Sequence, residues 1–408
     1  MLKAVEISNF KSIKHVRIEE LGKINVFFGP NNSGKSSILQ AIALLAQSSG
    51  RQPIYDGNFV KLSKFENVVF GKDPRNNIEI SVKFKLSEEE VREINELIKG
   101  SPYEKSDLTQ VEYSVRMKDY PDLQSIKSND ELELCRVFFS KGTGVIKYRY
   151  IEKEYSLSSG SYSNIVGAGT REIGWRAPSS SETPYASNVI NRLCEIIGER
   201  LSKIYFISTM RGVTSRSESV SSPPYFGPHG ENAPALMHWI YSNKREVFFD
   251  KILKWAREFD VSDMLSPLVG SDTYLAFKDS KLGVEVNAVD SGFGLSQLIP
   301  IIGQCFLAEP YSVIMVEEPE IHLHKSSQYK LIDMFREVCE ERKQILMTTH
   351  SDLMIARLWR LIRVEKAMKE EDVSLYRVDK TNNGSEVKKV DLDVEWAQLK
   401  NEYQDFLR

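Results

Sequence analysis

Gly29-Pro30-Asn31-Asn32-Ser33-Gly34-Lys35-Ser36 fits the pattern G-x-x-x-x-G-K-[ST] at every specified position. It follows an apolar run, Ile24 to Phe28, and precedes a helix-like run from Lys35 to Ala46. Strand, loop and helix in that order are the setting such a loop needs. Glycines let backbone N–H groups turn inward around a polyphosphate, and the helix that follows adds the partial positive charge of its N-terminus. The stretch therefore predicts a nucleotide site built from Asn31, Asn32, Ser33, Gly34, Lys35, Ser36 and Ser37. Lys35 would reach the β- and γ-phosphates and the Ser36 hydroxyl would bind Mg²⁺, so ATP and Mg²⁺ are the expected cofactors.

A second cluster lies far downstream. Val313-Ile314-Met315-Val316 reads as a buried strand ending in Glu317-Glu318-Pro319-Glu320. Paired carboxylates at a strand end suit Mg²⁺-dependent nucleotide hydrolysis, with Glu317 in the metal shell and Glu318 orienting and deprotonating the attacking water. The next strand, Gln344 to Thr348, ends in Thr349-His350-Ser351. Ligands of open α/β sheets bind at the carboxyl ends of parallel strands, which makes His350 a candidate to hold the γ-phosphate and the water in line. The expected catalytic set is Glu318, His350 and Lys35. Upstream, Ser291-Gly292-Phe293-Gly294-Leu295-Ser296-Gln297 leads into a helix-like run. Small residues at a helix entry offer a second anion-binding surface, which makes most sense if it meets nucleotide held by another copy.

Composition limits the class. Length predicts about two or three structural units, and 41% hydrophobic with 27% charged residues allows a sizeable core. A formal charge of −3 exerts no global pull on nucleic acid or acidic membranes. Cys135, Cys194, Cys305 and Cys339 are scattered, with no metal-ligand spacing, and read as buried thiols of a reducing compartment. Met1 to Ser12 lacks the apolar stretch of a signal peptide, and Leu298 to Ala308 is too short to span a bilayer. A cytoplasmic protein is expected.

Val5, Ile7 and Phe10 suggest a first strand, and Val16 and Ile18 a second. From Asn77 to Leu157 a period of two marks half-exposed antiparallel strands at Ile78 to Phe84, Val111 to Val115, Arg136 to Phe139 and Val145 to Tyr150. A polar helix, Ser87 to Lys99, interrupts them, with Ser87 and Glu90 spaced as a capping box. Ser156 to Ala186 is rich in Ser, Gly and Pro and reads as a long surface loop. Then come a helix (Val189 to Leu201), a strand (Ile204 to Ile207), a loop-rich stretch (Gly212 to Pro234) and helices from Ala235 to about Met264. Tyr274 to Phe277 and Val284 to Val289 read as a hairpin.

Phosphate loop, Gly-Ser signature, paired acids and histidine, in that order, resemble the ATP-binding-cassette-type ATPases, the group that includes SMC, RecF and the Overcoming Lysogenization Defect (OLD) family. Asn9-Phe10-Lys11-Ser12, the loop at Gly29 to Ser36, and Glu317-Glu318-Pro319-Glu320-Ile321-His322-Leu323-His324 are similar to the OLD-like branch. The resemblance implies an α/β P-loop fold: an ABC-ATPase-like head with a mixed β lobe and an inserted β and helical middle region. Its core would be residues 1–76 and 270–408, with a β extension at 77–157 and a loop-rich helical insertion at 158–269. It implies an ATP sandwich between two copies, where Ser291, Gly292, Gly294 and Ser296 of one face the phosphates held by Lys35 of the other.

The chain departs from that pattern in places. The signature is degenerate, no Q-loop glutamine follows the first helix, and Lys325 stands where a proline often occurs. No heptad stretch could form an SMC-type coiled coil. Only about sixty residues follow His350, too few for a Toprim nuclease, so effector activity is expected in a separately encoded partner. The expected role is Mg-dependent ATP hydrolysis controlling such an effector, a nuclease or toxin of prokaryotic antiviral defence. A nucleotide-gated scaffold and a RecF- or SMC-like DNA-repair ATPase are the alternatives.

Arg211 and Gly230-Glu231-Asn232 resemble small motifs of the family's middle region but read equally as a solvated arginine and a turn. His322 and His324 lack a third ligand at fixed spacing, so packing or hydrogen bonding is expected of them. Arg357, Arg360, Arg363, Lys366 and Lys369 recur every third position on an expected helix. That spacing winds about 60° per step and leaves no single-face basic patch for DNA.

Overall fold

Three runs of uninterrupted burial, Ile24–Phe28, Val313–Glu317 and Gln344–Thr349, lie side by side as parallel strands. Strands covered on both faces lose the alternation of a half-exposed strand, which is why all three read as continuous apolar runs. The computed structural model describes residues 1–48, 53–99, 108–118, 121–128, 133–140, 143–150, 153–159, 184–243 and 246–406. They divide into two compact units. One comprises Met1–Leu21, Asn31–Ile204 and Val378–Val387; the other comprises Gly22–Pro30, Tyr205–Arg377 and Lys388–Arg408.

The second unit holds the α/β core. Within it Val313–Glu317, Gln344–Thr349 and Ile24–Phe28 lie side by side in that order, and residues 373–377 pair parallel with Ile24–Phe28. Helix Lys325–Glu340 packs on the central strands, and helix Phe293–Leu307 packs on Val313–Glu317 and on helix Glu246–Arg257. Ile299, Ile301, Ile302 and Phe306 from the second of these helices are fully buried with Ile314, Val316, Ile345 and Met347 of the sheet. Each such side chain contributes about 1.5–3 kcal/mol by leaving water. Lys343, 2% exposed, closes the end of helix Phe293–Leu307 by donating to the carbonyls of Cys305 (2.9 Å) and Phe306 (3.4 Å) and to Glu341 (2.7 Å). Burial pushes the Cys305 thiol up to about 12, so it stays protonated and unreactive.

The first unit carries an eight-stranded antiparallel sheet. Its order is Ile13–Ile18, Leu2–Phe10, Ile78–Lys85, Gln110–Met117, Pro121–Ser128, Glu133–Ser140, Thr143–Tyr150, Lys153–Ser159. The capping box expected at Ser87 is present: Glu90 N–H donates to the Ser87 hydroxyl, and Ser87 N–H donates to the Glu90 carboxylate.

Several expectations need correction. Val261–Leu265 is a strand, paired antiparallel with Ala276–Asp279, and not the end of a helical run. Pro121–Ser128 and Lys153–Ser159 are strands that the alternation did not reveal. The stretch read as a surface loop begins inside the second of these and ends inside helix Pro184–Ser202, while residues 160–183 of it lie outside the described residues. The expected hairpin forms between Ala276–Asp279 and Glu285–Asn287. The basic helix ends at Arg363, so Lys366 and Lys369 lie beyond it. No helix among the described residues is long and apolar enough to cross a membrane.

Candidate functional site

The phosphate loop starts where strand Ile24–Phe28 ends and delivers Lys35 as the first residue of helix Lys35–Gln47. Gly34 caps that helix at φ 107° with no side-chain capping bond, which leaves the first-turn N–H groups without a side-chain cap and open to an anion. The Ser33 hydroxyl is buried with no hydrogen-bond partner among the described residues, an orphan that a phosphate oxygen would satisfy. Lys35 is 5% exposed, Asn31 and Asn32 are exposed, and Ser36 and Ser37 are half-buried.

The Asn9-Phe10-Lys11-Ser12 turn belongs to the same unit. Asn9 and Lys11 take left-handed φ values of 56° and 51°, and Asn9 Nδ2 donates to the Asn77 carbonyl at 2.9 Å. Lys11 Nζ donates to Gln40 Oε1 on helix Lys35–Gln47. Ser12 Oγ accepts from Ser385 Oγ at 2.8 Å, and both hydroxyls press on Gly34. A Cβ on Gly34 would stand 2.2 Å from Ser385 Oγ and 2.7 Å from Ser12 Oγ. Gly34→Ala therefore combines a left-handed backbone, worth about 1–3 kcal/mol of strain, with a blocked cradle. A titration with a fluorescent ATP analogue is expected to show affinity lowered by about tenfold or more in a folded protein; unchanged affinity would contradict this geometry.

The acidic cluster belongs to the second unit, at the carboxyl edge of its parallel strands. Register pairs Glu317 with Thr348 and Thr349 with Phe28, so Glu318, His350 and Gly29 all emerge at that one edge. Glu317 is 4% exposed, and its Oε2 accepts from the N–H and hydroxyl of Thr209, both at 3.3 Å. Glu318 adopts a left-handed φ of 41°, with its N–H donating to the carbonyl (3.0 Å) and hydroxyl (3.2 Å) of Thr348. Its Oε1 lies 3.5 Å from His350 Nε2. Glu320, which the sequence reading left without a role, accepts from Thr349 Oγ1 and from His350 N–H, each at 2.7 Å, and so fixes the histidine's backbone.

The Gly-Ser signature opens helix Phe293–Leu307, with Gly292 as a cap in the glycine-favoured φ of 80° and no side-chain capping bond. Gly292 is exposed and Ser291 half-buried, the Ser291 hydroxyl donating to the Ala288 carbonyl at 2.7 Å. Gly294 sits against the His322 carbonyl. Ser296 is buried, and its hydroxyl bridges the N–H (2.9 Å) and carbonyl (3.3 Å) of Val213. Gly292 is thus exposed, Ser291 and Gly294 are half-buried, and Ser296 is turned into the interior.

A family model described as AAA ATPase domain (AAA_15) matches residues 1–224 and 230–355. The chain belongs to that family. Over 44 residues this AAA ATPase domain is 48% identical to "Uncharacterized protein MJECL10" of Methanocaldococcus jannaschii, covering 11% of the chain and 20% of that protein. Over 86 residues it is 29% identical to the DNA replication and repair protein RecF of Lactococcus lactis, covering 21% of the chain and 24% of RecF. The matches to these two curated relatives span about a fifth to a quarter of their lengths. Among solved structures, an SMC head bound to the C-winged helix domain of ScpA is similar at a TM-score of 0.47 and 14% identity, over 97% of this chain and 99% of that one.

For one residue of this AAA ATPase domain the solvated alternative left open by the sequence is overturned. Arg211 is not solvated: it is 5% exposed, and its guanidinium donates to four main-chain carbonyls. Burial lowers its pKa to about 10, against the opposing pull of Glu320, Glu317 and Glu318, so it remains charged at neutral pH. The second small motif joins it, since Gly212 N–H donates to the His229 carbonyl at 2.8 Å and Gly230 packs on Pro300 and the Gly212 carbonyl. The available signal was an arginine just past the carboxyl end of a buried strand, followed by glycine. His324 caps helix Lys325–Glu340 by accepting from Ser326 N–H.

Proposed function

We propose that this AAA ATPase domain binds ATP with Mg²⁺ and hydrolyses it at a site completed by a second copy of the chain. Support comes chiefly from one observation: Glu318 and His350 lie 3.5 Å apart at the strand edge where Gly29 begins the phosphate loop. The orphaned Ser33 hydroxyl and the Gly34 cradle fit a triphosphate. In this reading Lys35 binds the β- and γ-phosphates, and Ser36 and Glu317 serve the metal. Glu318 orients and deprotonates water, and His350 holds the γ-phosphate. Bound Mg²⁺ would neutralise phosphate charge. Magnesium is usually held by phosphates, waters and only one or two carboxylates, so this modest donor set suffices. Ser291 and Gly292 would face the phosphates of the partner copy, which makes at least a dimer the working form.

The N-terminal turn, loop and acidic motif support an OLD-like ATPase, and in this reading it controls an effector, a nuclease or toxin of antiviral defence. Phosphate release with Mg²⁺-ATP, compared with a Glu318→Gln control, tests the chemistry. Purification from native cells, with ATP or a non-hydrolysable analogue, tests for an effector that is released only on hydrolysis. No phosphate above the control would remove the ATPase reading, and no co-purifying chain would remove the effector.

The RecF matches favour a second reading, a DNA-repair ATPase. It requires DNA-stimulated hydrolysis that weakens steeply with salt. Against a basic DNA face, Arg357 pairs with Asp333 and Glu365, and Arg363 with Glu370 and Asp393.

A further inference from the structure

Residues Ser208 to Val213 form a strap in the second unit that ties the signature helix to the acidic turn, each by two links. To the acids, Thr209 donates to the Glu317 carboxylate, and Arg211 donates to the carbonyls of Glu317 (Nη1, 2.8 Å) and Glu318 (Nη2, 3.0 Å). To the helix, Val213 holds the Ser296 hydroxyl, and Arg211 Nε donates to the Gln297 carbonyl at 3.2 Å. Nη1 also donates to the Ser208 carbonyl at 2.9 Å. Four of the five N–H donors of the guanidinium are thereby used on main chain.

Glu318 is where this matters. A non-glycine residue at positive φ stores about 1–3 kcal/mol and persists only when its surroundings hold it. Here Thr348 holds the N–H side and Arg211 holds the carbonyl side. Release of the carbonyl would let the backbone relax and carry the carboxylate away from His350. Lysine cannot substitute, because a single ammonium lacks the planar fork that reaches three segments at once.

We propose that Arg211 is a positioning residue through which the first turns of the signature helix set the Glu318 carboxylate, so that movement at Ser291 and Gly292 is felt at the water-orienting acid. This rests on the ATPase reading above. The test measures kcat, ATP affinity and thermal melting for the wild type, Arg211→Lys, Arg211→Ala and Glu318→Gln. Amide hydrogen exchange without nucleotide supplies a readout independent of turnover.

Both Arg211 variants are expected to lose about a hundredfold in kcat, as for a misplacement near 1 Å, while ATP affinity stays within about threefold. Exchange should accelerate in the Glu317–Ile321 and Gly292–Gln297 segments of both variants. Millimolar guanidinium should restore part of the kcat of Arg211→Ala and add nothing to the wild type. A folded variant with kcat within about twofold of wild type would overturn the proposal. So would loss of kcat and ATP affinity in step, or failure of both variants to fold, either of which makes Arg211 a structural brace. Wild-type turnover no greater than that of Glu318→Gln would instead defeat the ATPase reading itself, and this inference with it.

Discussion

Glu318→Gln is expected to keep ATP binding, to lose turnover by about three orders of magnitude, and to accumulate as an ATP-bound oligomer. The substitution is nearly isosteric, so the left-handed backbone at φ 41°, the bonds it donates to Thr348 and the bond it accepts from Arg211 remain. The changed property is proton acceptance. An amide cannot take a proton from water, and general-base assistance is worth about 10²–10⁴-fold. His350 keeps its backbone bond to Glu320, so the proposed γ-phosphate partner stays in position. Phosphate release and light scattering on the same sample read the two halves of the expectation. Undiminished turnover would remove Glu318 from its role, and loss of ATP binding would make it a ground-state ligand.

Gly303→Ala should destabilise the protein although the position is helical. In an exposed helix the change would stabilise by about 1 kcal/mol, because glycine is the poorer helix former. At position 303 a Cβ would meet the Phe226 ring, with carbons at 2.1, 2.5 and 2.7 Å. Phe226 is fully buried, so a rigid aromatic would have to move within a packed core. Overpacking of this kind costs about 1–3 kcal/mol or more, and the melting temperature should fall by several degrees. Phe226→Leu in the same chain should recover part of the loss, since the two sites share one contact. A melting temperature equal to or above wild type in Gly303→Ala would show that the helix and ring separate easily.

Legibility in the sequence followed how local each signal is. The phosphate loop and the strands Ile24–Phe28, Val313–Glu317 and Gln344–Thr349 were readable because a fully covered strand writes itself as an apolar run. The capping box at Ser87 was readable because both partners lie within four residues. Pro121–Ser128 and Lys153–Ser159 were missed because Asp, Gln, Ser and Lys dominate them; their pairing comes from neighbours in the sheet. Val261–Leu265 follows a helix closely and becomes a strand by pairing with residues about fifteen positions on. Arg211 needed tertiary information: its partners at 297, 317 and 318 are remote in the chain, and an isolated arginine ordinarily lies in water.

Mixing two inactive variants probes most directly whether one nucleotide is served by two chains. Lys35→Ala removes the proposed phosphate-binding lysine, and Ser291→Glu places negative charge on the surface proposed to face a partner's phosphates. Each alone should be inactive. In an equal mixture half the dimers are mixed, and each of these has one intact site of two, so about a quarter of wild-type phosphate release should return. A mixture no more active than its separate components would mean that each chain cleaves ATP unaided.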